Sequence, residues 1–83
     1  MYVHVGEDVM VRTDEIIAIL DKNSVQASED IKQFLQQKEK MVQNLAKNAF
    51  KSLVITNKEI YLSPLASTTL KKRSTKGNRQ FNP

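Results

Sequence analysis

The 83-residue chain carries thirteen Lys/Arg against nine Asp/Glu, a net charge of +4, with no cysteine and a single histidine. A chain this short makes one domain at most and buries only about 60–65% of the surface it exposes when unfolded, so its margin of stability is thin. Disulfides are excluded, one histidine cannot complete a closed nitrogen–sulfur metal site, and self-association is the remaining way to gain stability. No apolar run reaches the roughly 18 residues of a membrane span. The opening Met-Tyr-Val-His-Val-Gly has no basic segment leading into an apolar stretch, so no export signal is read there and a cytoplasmic location is expected.

Tyr2-Val3-His4-Val5 and Val9-Met10-Val11-Arg12 alternate on either side of Gly6-Glu7-Asp8, which predicts a β-hairpin. Thr13-Asp14 is a second turn, and Glu15-Ile16-Ile17-Ala18-Ile19-Leu20-Asp21 is a compact β-branched run that fits a strand covered on both faces. Residues 1–21 therefore read as a three-stranded meander. Residues 22–27 read as polar linker. Ser28 before Glu29 and Asp30 is an N-cap followed by acids at the positive end of a helix dipole. Ile31, Phe34 and Leu35 form a narrow apolar stripe, predicting a helix over 28–41.

Residues 42–51 are compatible with an extension of that helix or with a loop that tucks in Leu45 and Phe50. Ser52–Thr56 and Glu59–Leu62 flank Asn57-Lys58 and predict a second hairpin. Ser63-Pro64 reads as an N-cap with proline at the first helical position, opening a short helix over 64–72 that ends in Lys71-Lys72-Arg73. Ser74 to Pro83 is polar and basic, a disordered tail by composition. The fold class is α+β: a small β-rich domain over 1–73, built from meander, helix, hairpin and short C-terminal helix, followed by the tail 74–83.

Catalysis finds little support in these residues. His4 sits in a strand with no catalytic partner, and the pairs Glu7-Asp8 and Asp14-Glu15 fall in turns, where they serve the backbone. With only Gly6 and Gly77 there is no phosphate-cradling glycine loop or dinucleotide fingerprint. A non-enzymatic protein without cofactor or metal is expected.

The charge is divided unevenly. Residues 1–41 hold five Lys/Arg against eight Asp/Glu, and residues 42–83 hold eight against one. Lys47 and Lys51 flank the entry to the second hairpin, Lys71, Lys72 and Arg73 close the last helix, and Lys76 and Arg79 extend that charge. Cations grouped in this way neutralise phosphates and release condensed counterions, so nucleic acid is the expected partner. Few aromatics and no zinc-finger spacing argue against base stacking on single strands.

Several stretches are similar to a known family: Tyr2-Val3-His4-Val5-Gly6, Glu15-Ile16-Ile17-Ala18-Ile19-Leu20-Asp21, Lys51-Ser52-Leu53-Val54-Ile55-Thr56, and above all Ile60-Tyr61-Leu62-Ser63-Pro64-Leu65-Ala66-Ser67-Thr68-Thr69-Leu70-Lys71-Lys72-Arg73. Together they resemble the RemB (YaaB-type) branch of the RemA/RemB family of bacterial extracellular-matrix and biofilm regulators, over about residues 1–73. The resemblance implies a LytTR-like β-rich DNA-binding domain, ring-shaped homo-oligomers around which DNA wraps or bends, and a nucleoid-associated location. It also implies two basic positions for DNA. The one after the second strand falls on Glu15, with Arg12 three residues earlier; the one at the hairpin entry falls on Lys47 and Asn48. The expected DNA-binding residues are thus Lys47, Lys51, Lys71, Lys72, Arg73 and Arg12. The short first strand, Tyr2, Val3, His4 and Val5, is the expected surface for pairing with another copy. The alternative is an oligomeric scaffold that docks a protein and has lost the DNA site; an RNA-binding module is a third reading.

Overall fold

The computed structural model describes residues 1–76. Strands β1 (Tyr2–Gly6) and β2 (Val9–Arg12) pair antiparallel as a hairpin. A 3₁₀ turn at Thr13–Glu15 leads into β3 (Ile16–Asp21), followed by helices α1 (Lys22–Ala27) and α2 (Glu29–Gln37). After a second 3₁₀ turn at Glu39–Met41 come β4 (Val42–Asn44), β5 (Ser52–Thr56), β6 (Ile60–Ser63) and α3 (Ser67–Lys76).

The strands form two sheets, the β1–β2 hairpin and a four-stranded sheet in the order β3-β5-β6-β4. The expected three-stranded meander is therefore corrected. β3 does not follow β2 in a sheet but pairs antiparallel with β5, Ile19 opposite Val54 and Leu20 opposite Leu53. The reason lies in the side chains. The hairpin alternates, with Val3, Val5 and Val11 buried and Tyr2 and Met10 exposed, so it has one face to bury. In β3, Ile19 faces one apolar cluster and Leu20 the other, so that strand must lie in a sheet covered on both sides. Ile17, at the bulge between Ile16 and Ala18, escapes both cores and is 67% exposed.

The larger sheet is the middle layer. On one side Val54, Tyr61 and Ile19 pack with Val3, Val5 and Val11 of the hairpin and Leu70 of α3. On the other, Leu53, Ile60 and Leu62 pack with Val25 of α1 and with Ile31, Phe34 and Leu35 of α2. Those of them that are fully buried and aliphatic, such as Leu53, Ile60 and Leu70, each contribute about 1.5–3 kcal/mol.

The stretch read as linker, 22–27, is helical. Asp21 caps it, its carboxylate accepting from the Ser24 N–H at 3.2 Å, and its one buried residue, Val25, gives no periodicity to detect. Ser28 caps α2 as expected, accepting from Ile31 N–H at 3.2 Å. That helix stops at Gln37 rather than 41, because its stripe ends at Leu35 and Lys38 has no core to face. The ambiguous segment splits: Val42–Asn44 is an edge strand parallel to β6, and Leu45 is buried beyond it. The second hairpin forms in the expected place, with Ser52 opposite Ser63.

Ser63-Pro64 does not start a helix; α3 begins at Ser67. Ser63 is the last residue of β6, and its hydroxyl serves the core instead, donating to the Val5 carbonyl at 2.5 Å and accepting from Leu65 N–H at 3.0 Å. Val5 needs that donor, because it lies where the β1–β2 register shifts between His4 and Gly6. The helix continues through Lys76; the rest of the segment read as tail, 77–83, lies outside the described residues.

Gly6 (φ +147°) is pressed against this junction: a Cβ there would stand 2.9 Å from Pro64 Cδ and 3.1 Å from Leu45 Cβ. Gly6→Ala is expected to destabilise by about 2–4 kcal/mol, through backbone strain and overpacking together. Ser63→Ala, which strips the Val5 carbonyl of its donor, should cost about 1–3 kcal/mol. Urea unfolding with an unchanged m-value checks both.

Candidate nucleic-acid interface

Strands β3, β5 and β6 are in register, so their ends coincide. Asp21 of β3 lies opposite Ser52 of β5, and Ser52 opposite Ser63 of β6. Just beyond the first two of these positions stand lysines, Lys22 and Lys51. The Lys22 N–H donates to the Lys51 carbonyl at 3.0 Å, and the Lys51 N–H to the Ser63 carbonyl at 2.8 Å. Residues 22 and 51, far apart in sequence, are neighbours at one end of the sheet.

The loop from 45 to 51 brings Lys47 to the same end. It is pinned at its start by Leu45 N–H to the Leu62 carbonyl at 2.9 Å and by Ala46 N–H to Asn44 Oδ1 at 2.9 Å, and at its finish by the Lys51–Ser63 bond. Leu45 and Ala46 are buried, while Lys47, Asn48 and Ala49 are exposed. Between this loop, Pro64 and the hairpin tip at Glu7 opens a cleft of about 450 Å³, lined by Lys47, Lys51, Asn48 and Glu7 among others. Among the described residues, neither Lys47 nor Lys51 takes part in an ion pair.

α3 adds a third group of cations. Leu70 is fully buried and fixes the helix on the core, while Lys71, Lys72 and Arg73 are exposed. At 100° per residue, Lys71 and Arg73 flank the buried stripe and Lys72 lies between them on the outer side. Lys71 is near enough to Asp21 for its charge to act on that carboxylate. Hydrogen bonding by Ser24 is the main cause that holds the Asp21 carboxyl below the usual aspartate range, with Lys71 a smaller one.

Arg12 is not part of this group. It leads through the Thr13–Glu15 turn to Ile16, which pairs with Thr56 at the opposite end of the larger sheet, an end roughly 13 Å from Ser52 by the rise along β5. There Arg12 Nη2 is bound to Asp14 Oδ2 at 2.9 Å. Glu15 is at this end too, with Lys58 Nζ 3.6 Å from its carboxylate and Asn57 N–H on its carbonyl. Burial first, then Glu59 and Glu15, pushes the Tyr61 phenol above the ordinary range.

In the first strand, Val3 and Val5 are spent on the core. Tyr2 is 58% exposed, and His4 Nε2 is hydrogen-bonded to the Glu7 carbonyl. The Thr13–Met1 bond sets the antiparallel alternation, so Val3 and Val11 exchange bonds while the N–H groups of Tyr2 and His4 face the outer edge of β1.

Lys22 and Glu7 escaped the sequence reading. Lys22 was hidden in an apparent linker, although Asp21 followed by Ser24 is a capping signal that would have marked a helix start. Glu7 gave no sign, because only the packing of Gly6 on Pro64 brings the hairpin tip to the loop. Among the described residues no helix is long and apolar enough to cross a membrane, and no cluster of three or more His, Cys, Asp or Glu could hold a metal ion.

Asp21→Asn keeps the cap and removes the charge. A depressed carboxyl pKa contributes stability above the ordinary aspartate range and loses it as pH falls through the folded value. Wild type is therefore expected to lead the Asn variant near neutrality and to lose that lead in acid, as measured by thermal unfolding across pH 2–7.

Residues 2–73 match the RemA-like family, described as extracellular matrix regulatory protein A-like. The chain is also 39% identical over 74 residues to extracellular matrix regulatory protein B of Bacillus subtilis (strain 168), covering 89% of this chain and 90% of that protein.

Proposed function

Because the chain belongs to the RemA-like family of extracellular matrix regulatory proteins, we propose that it regulates genes by binding double-stranded DNA as a homo-oligomer. The observation that carries this reading is the convergence of Lys22, Lys47, Lys51 and Lys71 on one end of the sheet, with Lys72 and Arg73 beside them. Their contacts are with phosphates, which position a protein on DNA without reading sequence; selectivity comes from the shape and bendability of the duplex. One chain offers few such contacts. Several copies arranged around one axis multiply them through effective concentration.

Glu15 does not oppose this reading. It belongs to the far end with Lys58, so its negative charge is not set against a phosphate held by Lys47 or Lys51. The protein acts at the nucleoid in the cytoplasm, as a regulator rather than an enzyme.

The copies meet through the outer edge of β1, whose Tyr2 and His4 N–H groups face away from β2, and through the apolar outer face beside it. Met1, Tyr2 and Met10 are 70%, 58% and 54% exposed, an apolar group that a second copy would cover.

Two measurements test the proposal. Duplex binding followed from 50 to 300 mM salt should weaken steeply. Lys47→Gln and Lys51→Gln should each lower the log–log slope by about one per copy in contact, and Lys32→Gln on α2 should leave it unchanged. Absence of binding at low salt, or binding without a salt slope, overturns the DNA reading. Native mass measurement should show an oligomer that Tyr2→Lys with Met10→Lys reduces to smaller species; an unaltered mass places the interface elsewhere.

A further inference from the structure

The cleft between the hairpin tip and the 45–51 loop is more than a landing place for phosphate. Its lining residues include two lysines, an asparagine and a glutamate together with small apolar residues: Lys47, Lys51, Asn48 and Glu7 beside Ala49 and Pro64. A surface evolved only for a polyanion has no use for Glu7, which repels it. The volume, about 450 Å³, falls within the range of small-molecule sites, roughly 300–1,000 Å³.

Glu7 is also held in place. It has a positive φ of 48°, a left-handed conformation that non-glycine residues rarely adopt. Its carbonyl accepts from His4 Nε2, and the preceding Gly6 is pressed on Pro64 and Leu45. Strained, over-determined backbone of this kind gathers at ligand sites. The backbone that carries Glu7 is therefore fixed, across the cleft from a loop that is pinned at both ends.

We infer that this cleft binds a single nucleotide, its phosphate on Lys47 and Lys51 and its base against Ala49 and Pro64 with the donor edge on Glu7. A carboxylate only accepts hydrogen bonds. It is best matched by a base presenting two adjacent N–H donors, and guanine, with N1–H and the N2 amino group, does so. Adenine offers one donor beside an acceptor lone pair. The ligand is thus a guanine nucleotide. A free nucleotide and an unpaired guanine in a DNA strand present the same chemistry to this cleft. The inference stands on the cleft itself and not on duplex binding.

The test is calorimetric titration of the intact protein with GMP, AMP, guanosine and inorganic phosphate. A parallel titration uses an oligothymidylate strand with and without one central guanine. GMP should bind saturably and at least tenfold more tightly than AMP, guanosine or phosphate. Glu7→Gln should cost GMP at least tenfold while leaving duplex binding equal or tighter, since it removes a negative charge. Lys51→Gln should weaken both ligands. A guanine preference seen only in the strand, and abolished by Glu7→Gln, supports the site with a strand as its source. Phosphate binding as tightly as GMP, or guanine binding that Glu7→Gln leaves intact, overturns the inference. So does the absence of saturable binding by either guanine ligand. Duplex binding that fails while GMP binding persists and depends on Glu7 removes the DNA reading and leaves this one standing.

Discussion

The Ser63 hydroxyl donates to the carbonyl of Val5, 58 residues away in sequence, and both residues are fully buried. This bond joins the two sheets. Val5 lies at a break in the hairpin register, so its carbonyl would otherwise be a buried acceptor without a donor, an arrangement that costs free energy comparable to a lost hydrogen bond. Around it Gly6, Pro64 and Leu45 close to van der Waals distance. A Cβ on Gly6 would stand 2.9 Å from Pro64 Cδ and 3.1 Å from Leu45 Cβ, so the hairpin or the segments under it would have to shift. The hydroxyls of Ser52 and Thr56 are likewise hydrogen-bonded to backbone, to Leu65 and Glu59 carbonyls. Every buried polar side chain of the described residues thus has a partner.

The junction also shapes the surface above it. Because the hairpin tip is held on Pro64, Glu7 becomes one wall of a cleft whose other wall is the pinned 45–51 loop. Because β3, β5 and β6 end together, the chain leaves or enters the sheet there at residues 22, 51 and 64. Lysine ammonium groups at such ends reach water easily while their stems lie along the protein. The packing that stabilises the core and the clustering that concentrates positive charge are consequences of one arrangement.

The two ends of the sheet differ in chemistry. At one, Arg12 and Lys58 are each held by a carboxylate, Asp14 and Glu15. At the other, Lys47 and Lys51 have no such partner among the described residues. Cations already paired contribute little to a passing polyanion, whereas unpaired ones on a shared face add their potentials within a Debye length of about 8–10 Å. Family membership says that the protein is a regulator; the uneven pairing of its cations supports the lysine end as the face that meets DNA. Glu7, one of the residues lining the cleft, sets a negative charge among those lysines.

Much was legible in the amino-acid sequence, for local reasons. Alternation marked β1, β2, β5 and β6, Ser28 before two acids marked the start of α2, and Lys47 and Lys51 were visible beside a clear strand. The specific run from Ile60 to Arg73 was enough to point to the family. The tertiary structure decided what depends on contacts between distant residues. Ser63-Pro64 has the local pattern of a helix start, yet the unmet Val5 carbonyl claims the serine. Ile16–Asp21 has the local pattern of a strand, but which strand it pairs with depends on having apolar side chains to cover on both faces. Lys22 and Arg12 look equally basic along the chain. Register places the first beside Lys51 and ties the second to Asp14 at the far end. Local propensity acts over a few residues, while partner choice is set by burial and hydrogen-bond satisfaction over the whole fold, and only the folded chain expresses those.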